Sequence, residues 1–538
     1  MKVFLLGLDG MTLKIIEPYI EAGLLPNFKK LKGEGAWGTL QSTIPPITGP
    51  GWVSLTTGKN AGKHGVFEFR KRNGYKTELL TRNNSETAEP LWTTLKRNGK
   101  KVVLINIPFT YPPDEVDGVL ISGMTTPSTH ADFVYPREVK DELFELIPDY
   151  QIDAGGREFI LSGDKNELLK QAFKITRDRR KLMQHYLDNR EWDLFFITFV
   201  ATDRLQHFMW EEIIAQDARC VEFYQLLDEI LGEALDRVDN ETALLVVSDH
   251  GFRASRKSFC INNFLRNEGF LTTRDKSGTE RAMSKVNLAG LVGALYMLGK
   301  RVGLLRLKKY VPLPLLKRVK ETFLAAGMTE DKIDWENTRV FSLLWYAVDI
   351  NLRGREARGI VDEKDYDDLC KKVEEALLNV RDPETGDGII RKVYRGKDLY
   401  ATNYENSIPD LVVDMSDGYA IRNDLGENIV DDVKVGKTYI TGNHDLDGIM
   451  MGCGDVINPT NLDASIYDVC PTILYLMGLP IPDDVDGRVL TEMITSEFTS
   501  TNEQKTEKVT KKGSSRGSTT QEEAEELEKR LRDLGYLG

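Results

Sequence analysis

Apolar runs too short for anything but buried strands alternate along this chain with segments of helical periodicity, and no other feature narrows the choice of fold as far. Residues Lys2–Leu8 read as a buried strand, and the periodic stretch Leu13–Leu31 after them reads as a helix. Similar runs recur at Lys101–Ile107, Asp193–Val200, Ala243–Val247 and Leu411–Val413, with helical patterns between several of them. Continuous apolar strands separated by helices predict an α/β fold, a mostly parallel sheet sandwiched by helices.

The 538 residues give room for about three to four domain-sized units. The pattern lapses between about Asn262 and Thr338, where helical segments such as Val286–Leu298 and Leu313–Phe323 stand without clear strands. This stretch reads as an inserted helical cap, residues 262–338, dividing a catalytic α/β domain into residues 1–261 and 339–494. Between Arg281 and Lys320 the cap carries ten Lys or Arg and no acidic residue. Such a run fits a solvated or internally paired face, a peripheral contact with an anionic membrane, or a phosphate-rich or lipid-linked substrate. Residues 495–519 have linker composition, and a terminal helix is predicted over 520–538. Thr520 and Glu523 form a capping-box pattern there, and Ala524, Leu527, Leu531 and Leu534 make one apolar stripe. That stripe predicts docking, on its own domain or on a partner subunit. The oligomeric state is not legible.

Composition excludes several classes. Hydrophobic residues at 41% and charged residues at 29% are globular values, unlike those of a disordered chain or a membrane bundle. Lys+Arg of 71 against Asp+Glu of 84 leaves −13, which argues against coating nucleic acid. The five cysteines, Cys220, Cys260, Cys370, Cys453 and Cys470, are odd in number and lack a CxxC pair, so no disulfide framework or cysteine zinc site is indicated. The opening apolar stretch stops at Asp9, too short for a signal segment, and nowhere do about 20 uninterrupted apolar residues occur. The expectation is a cytoplasmic protein.

Three of the strand-like runs end in an aspartate, at Asp9, Asp203 and Asp249. Ligands of open α/β sheets bind outside the carboxyl ends of the strands, so these carboxylates are placed to share one edge, although each taken alone reads as a helix cap. The histidines shift that balance. Of only six, His207 lies four residues after Asp203, His250 follows Asp249, and His444 sits in GNHDLDG. Three Asp and three His supply enough ligands for two divalent cations, zinc by the imidazole share, with manganese the alternative. Thr48, in the Thr-, Gly- and Pro-rich segment TIPPITGPGWVSLTTGKNAGKHG, is the candidate nucleophile, with a capping role as the competing reading. The lysines at Lys59 and Lys63 lack P-loop spacing, and Gly7 stands where a haloacid-dehalogenase-type DxDG start needs its aspartate.

In order, the segments LDGMT, TGPGW, TGKNAGKHG, FVATDRLQHF, VVSDHGF, GNHDLDGI and CPTILYLMGLPIPDDVDGRVL resemble the alkaline phosphatase superfamily, most closely the bacterial and archaeal branch of its type I phosphodiesterase/nucleotide pyrophosphatase family. The resemblance runs from Asp9 to about Leu490. It implies that Asp203, His207 and His444 hold one metal, and that Asp9, Asp249 and His250 hold the other together with Thr48. It further implies in-line attack by Thr48, a phosphothreonine intermediate, and two cations balancing charge on the entering and leaving oxygens. His64, in the KHG turn, is expected to order its loop rather than bind metal. Phe69 stands where nucleotide pyrophosphatases carry an asparagine, which disfavours a nucleotide, and the Thr48 segment lacks the convertible residue and arginine of sulfatases. Absence of a membrane tether disfavours phosphoethanolamine-type transfer. The expected function is metal-dependent hydrolysis of phosphodiester or pyrophosphate bonds in a phosphate-ester small molecule. The alternatives are a phosphomonoesterase or phosphotransferase on the same site, or a non-catalytic scaffold.

Overall fold

The computed structural model describes residues 1–81, 88–154, 159, 162–274, 329–400, 408–435, 438–509 and 519–533. A 9-stranded sheet runs through its middle in the order Thr460–Ser465, Ala36–Gln41, Asp447–Cys453, Thr242–Val247, Lys2–Leu8, Leu194–Phe199, Val102–Ile107, Gly118–Ser122, Val134–Tyr135. The core of the sheet, from Thr242–Val247 to Gly118–Ser122, is parallel, and Asp447–Cys453 is antiparallel to both of its neighbours.

The strands are uninterruptedly apolar because both faces are covered. Along Lys2–Leu8, side chains alternate sides: Phe4, Leu6 and Leu8 join one core, Val3 and Leu5 another. The first core is roofed by helices that include Lys165–Asn189, Ala201–Ile214 and Ala218–Leu235; the second by helices that include Thr48–Thr57 and Val469–Leu476. This is the α/β sandwich that the sequence predicts.

One expectation is corrected. Leu411–Met415 is a strand, yet it belongs to a separate antiparallel sheet with Val340–Phe341, Ala347–Ile350 and Ile390–Arg395. A strand buried on both faces has the same apolar run in either kind of sheet, so periodicity cannot assign it. A third sheet forms around Gly251–Cys260, which pairs with Gly418–Arg422, Val430–Asp432 and Gly442–Asp445.

The middle of the expected cap, residues 275–328 with its basic run, lies outside the described residues. Its flanks pack inward, with Phe264, Leu265, Phe270, Leu271, Ile333 and Trp335 in a third core. Of the stretch expected as a linker, residues 510–518 also lie outside, whereas Ser496–Thr501 is helical and Thr506–Glu507 pairs with Ile481–Pro482. Phe498 supplies the reason: its ring meets Tyr475 edge-on, an anchor that the polar composition around it conceals. The terminal helix spans Gln521–Asp533, opened by reciprocal Thr520 and Glu523 hydrogen bonds. It docks on its own chain, burying Leu527 and Leu531 in the third core. Among the described residues no helix is long and apolar enough to cross a membrane.

Candidate active site

Three adjacent parallel strands deliver the acidic residues to one edge. Leu8 pairs with Phe199 and Gly7 with Val247, so the chain segments that follow emerge side by side carrying Asp9, Asp203 and Asp249–His250. Asp203 sits in the first turn of the Ala201–Ile214 helix, and His207, one turn on, shares its face. His444 arrives from far along the chain: its strand runs antiparallel to Gly251–Cys260, with His444 opposite Phe252.

Two groups result. In one, His207 Nε2, His444 Nε2 and Asp203 Oδ1 lie 3.0, 3.1 and 3.4 Å from one another. In the other, His250 Nε2 lies 3.3 Å from Asp249 Oδ2 and 3.7 Å from Asp9 Oδ1. The His250 ring stacks on that of His444 at 3.7 Å between centroids and joins the two groups. Asp9, Asp203, Asp249 and His250 are fully buried. All six residues singled out from the sequence therefore meet here.

The imidazoles share one arrangement. Nδ1 of His207 faces the Gly442 carbonyl at 3.1 Å, that of His250 the Gly251 carbonyl at 3.0 Å, and that of His444 the Pro46 carbonyl at 2.8 Å. A carbonyl only accepts, so Nδ1 carries the proton and each Nε2 turns a lone pair inward. Lone pairs of His207 and His444 facing at 3.0 Å repel unless something positive lies between them. Asp9 Oδ1 and Asp249 Oδ2 are buried with no hydrogen-bond partner. Such a set of oriented imidazoles and unpartnered carboxylate oxygens fits divalent cations.

The electrostatics agree with that fit. Burial, then the carboxylates of Asp249 and Asp203, pushes Asp9 well above the usual carboxylate range. Burial does the same to Asp249, against a hydrogen bond from the Gly10 amide. For Asp203 burial works upward too, but positive charge on the His207 and His444 side holds it well below the ordinary value, a charge that a bound cation would supply where the imidazoles are neutral. Burial and the neighbouring His444 keep His250 neutral.

Thr48 is the first residue of the Thr48–Thr57 helix, fully buried, with Oγ1 3.1 Å from His250 Nε2. The positive end of the helix dipole coincides with it, a ready place for an anion. Two glycines permit the approach. A Cβ on Gly51 would lie 3.1 Å from Asp249 Cβ, and one on Gly49 would lie 2.6 Å from the Phe109 ring. His64 joins neither group. Its Nδ1 accepts from the Val66 amide, so Nε2 donates to Ser54 Oγ at 2.9 Å, and burial pushes its pKa down to about 3. Phe69 is buried against Phe109, forming an apolar wall beside the Thr48 turn.

Several partners escaped the sequence reading. Trp52 donates Nε1–H to Asp9 Oδ2 at 3.1 Å, and Ser42 donates to the Asp249 carbonyl. Trp52 lies one turn after Thr48 and was findable by helical spacing. The carbonyls that orient the histidines leave no trace in side-chain identity.

Carboxylates and imidazoles gathered at the carboxyl edge of a parallel sheet, beside a hydroxyl on a helix N-terminus, define the class: an α/β hydrolase of phosphoric esters with candidate metal-ligand clusters. The type I phosphodiesterase/nucleotide pyrophosphatase description matches residues 3–447, and the chain belongs to that family, an enzyme family of the alkaline phosphatase superfamily. No curated protein matches it in sequence. Among solved structures, phosphonoacetate hydrolase from Sinorhizobium meliloti 1021 in complex with phosphonoformate aligns with a TM-score of 0.54 and 12% identity over 89% of this chain and 95% of its own. Murine ectonucleotide pyrophosphatase/phosphodiesterase 5 aligns at 0.48 and 13%, over 92% of this chain and 100% of its own. The same murine protein, inactive and in complex with AMP, gives 0.49 and 13% over the same shares. The likeness to the phosphonoacetate hydrolase is one of fold.

Proposed function

We propose that the enzyme hydrolyses phosphodiester or pyrophosphate bonds with Thr48 as nucleophile and two divalent cations, zinc in preference to manganese, held by the Asp203–His207–His444 and Asp9–Asp249–His250 groups. The observation that carries this is the three Nδ1-tethered imidazoles aimed inward beside Thr48 Oγ1. Bound cations would supply charge neutralisation for the phosphoryl oxygens and a lowered pKa for the attacking hydroxyl.

The chain's own groups do the rest. The helix N-terminus at Thr48 draws the phosphoryl group in, and the Gly49 and Gly51 approaches hold Oγ1 against the cluster. Oγ1 gives up its proton, which passes through solvent to the leaving oxygen, and forms a bond to phosphorus as the bond to that oxygen breaks. Water then attacks the phosphothreonine from the vacated side, and Thr48 regains its proton. Trp52 fixes Asp9, and Ser42 fixes the backbone at Asp249. The substrate is a phosphate-ester small molecule, and the apolar wall of Phe69 and Phe109 favours one other than a nucleotide. The reading includes an inserted cap over residues 262–338 that selects the substrate, and a cytoplasmic location, which five unpaired cysteines suit.

The test is hydrolysis of bis(p-nitrophenyl) phosphate beside p-nitrophenyl phosphate, on chelated enzyme restored with zinc or manganese. Metal-dependent preference for the diester is expected, and Thr48→Ala should abolish it while metal content stays near two per chain. Full activity of Thr48→Ala would refute the nucleophile, and preference for the monoester would move the reading to a phosphomonoesterase.

A further inference from the structure

The terminal helix straddles the apolar wall beside Thr48. Near its start, Glu523 Oε1 accepts from the Tyr111 hydroxyl at 2.6 Å, two residues after Phe109. Farther along, Glu528 lies 3.6 Å from the Arg70 guanidinium, one residue after Phe69. Between them Leu527 lines, with Phe109, Tyr111 and Leu80 among others, a cavity of about 10 Å³, room for hardly more than one water. The helix is thus packed onto the wall. Arg530 then donates to the Thr126 carbonyl, which ties the helix to the turn that follows the Gly118–Ser122 strand.

The segment under the helix needs holding. Phe109 has a φ of 62°, a left-handed value that a bulky residue keeps only where its surroundings impose it. Thr110 Oγ1 donates to the Ile107 carbonyl and accepts from the Gly123 amide, which fixes the loop to the sheet. The Tyr111–Glu523 bond fixes it to the helix. The Phe109 ring in turn stands against Gly49, the residue after Thr48, where an added Cβ would lie 2.6 Å from it. A continuous path therefore runs from the helix through Tyr111 and Phe109 to the nucleophile turn. Thirteen residues make a marginal helix by themselves, so docking is an equilibrium that small changes can tip. We propose that the terminal helix is a strap that positions Thr48, with Tyr111, Glu523 and Leu527 as positioning residues, and that undocking it slows the enzyme without loss of metal. The effect on turnover rests on Thr48 as nucleophile; the coupling of helix to turn does not.

The experiment uses the full chain. Leu531→Asp places a charge at a position 1% exposed and should undock the helix, read as faster deuterium uptake over Gln521–Asp533. In the same spectra the uptake rate over residues 47–52 and 107–111 should rise about tenfold, while the Lys2–Leu8 strand and the metal content stay as in the wild type. The kcat on bis(p-nitrophenyl) phosphate should fall by about tenfold or more. Tyr111→Phe keeps the ring and drops one tie, and should shift both readouts partway with the helix still docked. In Phe109→Ala the ring that transmits the effect is gone, so adding Leu531→Asp should lower kcat no further, whereas a general loosening of the fold would lower it again. Wild-type uptake over residues 47–52 in a chain whose helix has undocked overturns the proposal, and so does a second full fall in the Phe109→Ala background. Should Leu531→Asp not fold, Tyr111→Phe decides, and wild-type values in both of its readouts overturn the proposal. A wild type inactive on the diester refutes the diesterase reading and leaves the uptake result to decide the strap.

Discussion

Gly49 offers a direct test of how tightly the nucleophile is placed. Its φ is not in the left-handed region, so alanine meets no backbone penalty there and the effect is one of space alone. The added Cβ would lie 2.6 Å from Cε2 and 3.0 Å from Cζ of Phe109. Ordinary contact begins at 3.4 Å, so 3.4 − 2.6 = 0.8 Å must be found. Phe109 cannot give that space readily, because its ring packs on Phe69 and its own φ is 62°. The Thr48 turn is what moves, and a misplacement near 1 Å at a reacting atom costs on the order of 10²-fold in rate. Gly49→Ala is therefore expected to lower kcat on bis(p-nitrophenyl) phosphate by about 30- to 100-fold, with bound metal unchanged by elemental assay. Adding Phe109→Leu should recover most of the loss. A Gly49→Ala enzyme within twofold of wild type, or a double variant no faster than the single, would refute the reasoning.

Other expectations follow from the same geometry. Asp249→Asn removes a carboxylate oxygen from its group and should lose metal and activity together, read by elemental analysis beside turnover. Glu68, buried and hydrogen-bonded to the Trp345 amide, has its pKa pushed up to about 8 by burial. Its unfolded form ionises near 4.5, so wild-type stability should fall as pH rises from about 4.5 through 8, the loss being complete above that. In Glu68→Gln this decline should vanish, and a thermal-midpoint difference between the two that stays constant from pH 5 to pH 9 would contradict the assignment. Leu531→Ala, at a position 1% exposed, removes roughly 2–5 kcal/mol of packing from the terminal helix. A 13-residue helix is marginal alone, so the helix should undock and become open to protease while the main sheet stays folded.

The main sheet and most of the site were legible because their signals are local. Asp9, Asp203 and Asp249 each close an apolar run, and His207 and His250 sit within four residues of one of them. His444 stood out in GNHDLDG as a candidate ligand, but its place beside Asp203 and His207 came only from the family resemblance, since nothing near it shows that its strand pairs with the one after His250. Leu411–Met415 was read into the wrong sheet because double burial erases the period that separates the two kinds of strand. The order around Phe498 and the contacts of the terminal helix were hidden for a different reason. They depend on contacts that no local window spans: Phe498 meets Tyr475, 498 − 475 = 23 residues before it, and Arg530 reaches the Thr126 carbonyl 530 − 126 = 404 residues away.

The pairing that brings His444 to the site also sets a timetable for biosynthesis. Asp9 and His444 are 444 − 9 = 435 residues apart. At a ribosomal pace of about 5–20 residues per second, the first of these groups waits roughly 20–90 s for the last. The central Lys2–Leu8 strand waits about half as long, since its neighbours begin at Leu194 and Thr242, 194 − 2 = 192 and 242 − 2 = 240 residues on. The Asp9–Asp249–His250 group has all its residues once the chain has passed residue 250, whereas a chain that ends before residue 444 leaves the ribosome without the ligand that completes the Asp203–His207 group.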